Sequence, residues 1–372
     1  MTASRQQVAR SLVGRRGLMG VAALALLAGL WGGLVRLGLD LPVGRVAAVH
    51  GPVMVLGAVG TLIALERAVA LSRPWAYIAP AASGLGALVL VAGGPRPAGW
   101  ALLAVAGLAL IGVFVHLYRR QPERHFAVMG CGAALWPAAV GVWAFSGSVA
   151  RSMPFLAGFL VLTIVGERLE LSRLSRPSPT ARRALLAAIG VFLAGLAVGL
   201  AAPSVGVRLA GVGLLAQSLW LLRHDVAPRL ARRPGVTGFS GLTLTAGFAW
   251  LAVTGILWSA TGAGISGPLY DAAVHALFLG FVMSMIFAHA PVILPAVLRV
   301  AIPFHPALYL PVGLLHVSLA ARIIGDLGGL SDVVRWAGVA NVVAVLGFLL
   351  TVAAVRAAMA AALAPTPRSS HV

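Results

Sequence analysis

The sequence predicts an all-α membrane protein of about twelve transmembrane helices, and three observations carry that expectation. Of 372 residues, 60% are hydrophobic and only 10% charged, which leaves too little polar surface to clothe a water-soluble globule of this size. The apolar residues fall into runs of roughly 20, the length that crosses a bilayer core as a helix. The basic residues are 28 arginines with no lysine, against 9 acids, and they sit in short segments between the runs. That is how membrane topology is encoded and not how a nucleic-acid stripe is built. A soluble enzyme, a disordered chain and a nucleic-acid binder are therefore excluded, and the expected surroundings are a lipid bilayer. The single cysteine, Cys131, lies inside an apolar run, so a disulfide framework or iron–sulfur site within the chain is excluded as well.

In chain order the spans are Gly17–Arg36, Gly44–Leu71, Pro74–Ala92, Ala98–Tyr118, Arg124–Phe145, Ser152–Leu171, Arg182–Ala202, Gly206–His224, Gly238–Ala260, Pro268–Ile293, Phe304–Ile324 and Val333–Ala360. Arg15 and Arg16 precede the first run as in a twin-arginine export signal. The run is long enough to span, however, and no convincing small-x-small cleavage site precedes Arg36, so it reads as a helix that stays. The N-terminal segment and every second loop after it hold 21 arginines, and the alternate loops hold 7. By the positive-inside rule both termini, the short tails 1–16 and 361–372, are expected in the cytoplasm, with the chain in an inner membrane of bacterial type.

An internal repeat subdivides this single membrane domain. Span two carries LGAVGTLIALER (Leu56 to Arg67), span six AGFLVLTIVGER (Ala157 to Arg168) and span ten LGFVMSMIFAHA (Leu279 to Ala290). Each has a glycine followed nine residues later by a polar group: Gly57 and Glu66, Gly158 and Glu167, Gly280 and His289. The three segments are four spans apart and run in the same direction. This spacing predicts three four-helix units, roughly 17–118, 124–224 and 238–360, around a pseudo-threefold axis.

Ionisable residues at membrane depth are costly and default to functional candidates. Among nine histidines, His116, His125, His224 and His305 fall at helix ends and His371 in the polar tail, whereas His50, His275 and His316 lie within spans two, ten and eleven. Spans two and ten both enter from the outer face, placing His50 and His275 in the outer half at similar heights. His50 stands seven residues before its repeat glycine and His275 five, a phase difference of about 200° at 100° per residue. Two helices flanking one pore must use opposite faces to reach it, which suits a planar haem held by two neutral imidazoles.

Asp271, one turn before His275, is a candidate partner for the other ring N–H or a carboxylate favoured by the helix N-terminus. His316 reads as a copper ligand, a haem or substrate partner, or a hydrogen-bond donor between helices. Met54 and Met153 are soft candidate ligands for copper or plain core filling. Glu66, Glu167 and His289 occupy equivalent repeat positions near the cytoplasmic side. They read either as an inner metal or proton site or as salt-bridge partners of Arg67 and Arg168.

The segments VHGPVMVLGAVG (Val49 to Gly60), AVHALFLGFVMSMIFAHAPVILPAVLR (Ala273 to Arg299) and LLHVSLAARI (Leu314 to Ile323) are similar to NnrS proteins. The twelve spans in three arcs resemble the catalytic subunit of haem–copper oxidases. The resemblance implies a haem b, with copper as a second candidate metal, and a link to nitric oxide, nitrosative stress or respiratory redox proteins. It also implies axial-ligand positions at His50 and His275. Spans six and seven hold no histidine and span ten no His-x-His pair, so terminal oxidase activity is not expected. Against a haem protein stand a multi-pass transporter, since repeats also describe carriers, and a non-catalytic assembly subunit of a respiratory complex.

Overall fold

The computed structural model describes residues 2–42, 44–262, 266–298 and 304–362, and in these every regular element is a helix. His371 and most of the expected 361–372 tail lie outside them. Twelve helices among the described residues are long and apolar enough to cross a membrane. They are α1 (Val13–Arg36), α2 (Val46–Leu71), α3 (Pro74–Val91), α4 (Arg96–Arg120), α5 (Arg124–Ser146), α6 (Val149–Leu174), α7 (Pro179–Ala201), α8 (Pro203–His224), α9 (Gly235–Thr261), α10 (Pro268–Pro295), α11 (Pro306–Gly328) and α12 (Ser331–Ala362).

The helix ends follow from local chemistry. Proline occupies the first turn of α3, α4, α7, α8, α10 and α11, where its missing N–H has no helical partner to lose. Ser148 and Ser178 cap α6 and α7 by accepting from the N–H groups of Arg151 at 3.4 Å and Ala181 at 3.1 Å. Gly147 and Gly329 end α5 and α11 in the left-handed conformation, with φ of 66° and 68°.

Consecutive helices pack as antiparallel neighbours, and α1 closes the bundle by touching α10 and α12. At the centre α2, α6 and α10 touch one another, and all three are among the most buried spans. At their repeat glycines neighbouring helices approach closely enough to exclude a side chain. A Cβ on Gly57 would sit 2.5 Å from Ala87 of α3 and 3.3 Å from Ala25 of α1. One on Gly158 would meet Leu135 of α5 and Leu196 of α7, and one on Gly280 would meet Trp250 of α9. Each glycine thus admits the helix that precedes its own, by the small-residue packing membrane helices use.

Two of the three central helices are not regular. In α2 the stretch Val53–Gly60 is π-helical, and in α10 the stretch Ala276–Val282. Both begin within three residues of the candidate histidine and contain the repeat glycine, while α6 is α-helical throughout this region. A π turn holds more residues than an α turn. The phase of 200° expected from 100° per residue therefore does not carry from His50 to Gly57 or from His275 to Gly280.

Candidate functional site

A cavity of about 540 Å³ opens at the end of the bundle where α2, α6, α10 and α12 begin and α1 and α11 finish. His50 and His275 both line it, with Met54, Met153, Met283, Asp271, Arg36, Arg322, Asp326 and Asn341. The His50 ring lies within electrostatic reach of His275, Arg36 and Arg322.

The seat of His50 is built by glycines on α1. The Nδ1 of His50 lies 2.6 Å from the carbonyl oxygen of Gly29. A carbonyl only accepts, so Nδ1 carries the proton and the lone pair sits on Nε2. One turn along, a Cβ on Gly33 would lie 3.1 Å from the His50 ring, and one on Gly29 would lie 2.6 Å from Cγ of Met54. Glycine at these positions lets the imidazole and the thioether lie flat on α1.

His275 is held from its own helix. Its Nδ1 donates to the carbonyl of Asp271 at 2.8 Å, and the Asp271 carboxylate lies 3.2 Å from the same nitrogen. Arg322 of α11 donates to that carboxylate through Nε at 3.0 Å and Nη2 at 2.7 Å. Asp271 therefore stands between a guanidinium and an imidazole, and it also occupies the first turn of α10. Among the described residues, no protein group hydrogen-bonds Nε2 of His50 or of His275. In each, Nδ1 is committed to a backbone carbonyl and Nε2 is left without a protein partner, the orientation in which a metal-ligating imidazole is held.

The other candidates lie elsewhere. His316 does not line the cavity; its Nδ1 accepts from Nε1 of Trp250 at 3.0 Å. The proton is then on Nε2, which is buried without a partner, so this tautomer presents no free lone pair. His289 donates from Nδ1 to the carbonyl of Met285 at 2.7 Å and sits at the opposite end of α10, within reach of the charges of Glu167, Arg168 and Asp225.

At that opposite end the repeat acids meet a cation. Arg67 of α2 binds Glu167 of α6 directly and lies 3.7 Å from Glu66, so a guanidinium occupies the space between the two acids. Arg168 pairs with Asp225 instead, through bonds of 2.8 and 2.7 Å, with both side chains almost completely buried. No group of three or more His, Cys, Asp or Glu that could hold a metal ion is found among the described residues.

Sequence reasoning missed Arg322, Asp326, Asn341 and Asp225. Ser318, Arg322 and Asp326 recur every four residues and so share one face of α11. That stripe was the available signal. Asp225 has no such signal, because nothing in its neighbourhood marks a partner on α6.

A family described as a domain of unknown function, DUF8744, matches residues 15–357. The chain belongs to this family. The DUF8744 match takes in every residue of the cavity and of the cluster at the other end. No curated protein and no solved structure matches the chain.

Proposed function

We propose that this DUF8744 protein is a multi-pass inner-membrane protein that holds a haem b between His50 and His275 and serves nitric oxide or respiratory redox metabolism. The observation that carries the reading is that two imidazoles from different helices face one cavity, each with Nδ1 tied to a backbone carbonyl and Nε2 unpartnered. The cavity falls within the size range of cofactor sites, roughly 300 to 1,000 Å³. Its donor set fits the group: two neutral nitrogens for the iron, apolar side chains such as Val55, Phe278 and Val282 for a flat macrocycle, and Arg36 and Arg322 for carboxylates at its edge. Met54 and Met153 add soft sulfur atoms to the same walls, which is the basis for copper as a second candidate.

When bound, a haem with two histidine ligands supplies reversible one-electron exchange. The protein's part is orientation and insulation. The Gly29 carbonyl and the Asp271 backbone fix both tautomers, and the Asp271 carboxylate makes the His275 imidazole a stronger electron donor. Arg322 holds that carboxylate in place and balances its charge. The arginine asymmetry of the loops supports cytoplasmic termini and a cavity mouth on the outer side. The three glycine contacts support three four-helix units arranged around α2, α6 and α10.

The test is a visible absorption spectrum of protein produced with ample haem. Wild type should show a six-coordinate low-spin Soret band. His50→Ala and His275→Ala should each abolish or convert it, while His116→Ala, His125→Ala and His316→Ala leave it unchanged. A wild-type protein without a Soret band, or ligand variants that keep it, would sink the haem reading and move transport ahead.

A further inference from the structure

A second cavity, of about 800 Å³, opens at the same end of the bundle between the pairs α5–α6, α7–α8 and α9–α10. Its origin is a divergence of α6 from α7. The two helices meet at Gly158, where a Cβ would lie 3.1 Å from Leu196 and 3.3 Å from Phe192 of α7. Toward the start of α6 they part. From Gly158 back to Arg151, which lines the cavity, is seven residues, so the wedge between them is about 10 Å deep. Gly141 of α5 faces it with nothing within 4 Å of where its Cβ would be.

The wedge is poorly suited to water. Its floor includes Met153, Phe155, Leu196, Val207 and Ala273, all buried and apolar, and water needs two to four polar partners to reside in a cavity. Left empty, it would forfeit dispersion contacts along both helices. Phe145 and Leu200 at its rim are 96% and 65% exposed. The wedge is therefore open to whatever surrounds the bundle, which for a membrane-spanning chain is hydrocarbon.

Charge narrows the occupant further. Arg151 is the one charged residue among those lining the wedge. It is exposed, and among the described residues its guanidinium has no hydrogen-bond or ion-pair partner, the bond to Ser148 Oγ being made by its backbone N–H. Asp271, next in the chain to the wedge residue Tyr270, lines the histidine cavity instead and is held by Arg322. An unpaired cation above an apolar wedge complements a molecule with an anionic head and a hydrocarbon tail.

We propose that the wedge seats one anionic phospholipid, with its phosphate on Arg151 and one acyl chain between α6 and α7. Ala150, Met153 and Tyr270 line both cavities, so the chain backs one wall of the histidine site. The assignment rests on the membrane-spanning reading and not on haem.

Native mass spectrometry of the delipidated protein in a neutral detergent, titrated with dioleoyl phosphatidylglycerol or dioleoyl phosphatidylcholine, tests it. Wild type should bind one phosphatidylglycerol saturably, about fivefold more tightly than phosphatidylcholine, the worth of one interfacial charge pair. Arg151→Gln should remove that preference. Gly141→Phe fills the wedge without meeting a neighbouring backbone and should abolish the saturable site for both lipids. Gly190→Phe, on an exposed position of α7 that does not line the wedge and has equal room for a side chain, should bind as wild type does. No saturable lipid, a site that survives Gly141→Phe, or a preference that survives Arg151→Gln overturns the proposal. So does a dimer that Gly141→Phe breaks, which would give the wedge to a second copy of the chain. Release of the protein from membranes by sodium carbonate would overturn the membrane reading and the lipid site together, whereas a retained protein without the lipid site overturns the site alone.

Discussion

Asp225→Ala is the substitution for which the structure gives the largest defined cost. Asp225 accepts from Arg168 through both carboxylate oxygens, at 2.8 and 2.7 Å, and Oδ1 also accepts from the N–H of Ala227 at 2.8 Å, at the start of the one-turn helix Ala227–Leu230. The Asp225 side chain is fully buried and that of Arg168 is 4% exposed. Truncating the acid leaves a guanidinium stranded in the bundle, which costs about 3–5 kcal/mol, and uncaps a backbone N–H for about 1 kcal/mol more. The two losses share an atom and are not strictly additive, so about 4–5 kcal/mol is expected. Reversible unfolding of the purified protein by sodium dodecyl sulfate in mixed micelles, followed by tryptophan fluorescence, measures it. Adding Arg168→Met removes the stranded charge and should recover all but about 1–2 kcal/mol. A single variant that loses less than about 1 kcal/mol, the worth of an exposed pair, or a double variant no more stable than the single, would refute the reasoning.

Three further outcomes follow from the same geometry. Glu167→Gln should lower stability by about 2 kcal/mol because it weakens a charged hydrogen bond to Arg67, and Glu66→Gln by about 1 kcal/mol or less. Neither should alter a haem spectrum, and loss of a metal without loss of stability would instead revive an inner metal site. Trp250→Phe removes the donor to His316 and should cost about 1 kcal/mol with the Soret band intact; a shifted band would make His316 part of the site. Gly206→Ala places a methyl against the backbone of Gly199, so α7 and α8 must separate at a cost of about 1–3 kcal/mol. Thermal denaturation in detergent reads this, and an unchanged midpoint would show that the two helices do not pack through glycine.

Apolar run length made the spans legible to within a few residues. Ser152–Leu171 was expected where α6 runs from Val149 to Leu174, and Val333–Ala360 where α12 runs from Ser331 to Ala362. Depth made His50 and His275 legible, because an imidazole inside an apolar run stands out against its neighbours. Their shared cavity did not follow from the phase arithmetic, which assumed α-helix across Val53–Gly60 and Ala276–Val282. A π stretch is a property of how α2 and α10 meet their neighbours, and no residue type signals it. Tautomers were equally hidden: His316 looked as ligand-ready as His275 until Trp250 placed a donor on its Nδ1. The acid and arginine pairs near the other end were foreseen in kind but not in connection, since Arg168 reaches across to Asp225 instead of to a repeat partner.

The carbonyl that orients His50 belongs to α1, whereas His275 is oriented by its own helix. During synthesis α1 and α2 emerge first, so the Gly29 seat exists while His275 is still eight helices from being made. Arg322 and Asn341, which complete the opposite wall, come later still, on the last two helices. A molecule can therefore be held between the two imidazoles only once α10 has been made. A translation product truncated before α10 would carry a correctly seated His50 with nothing across from it.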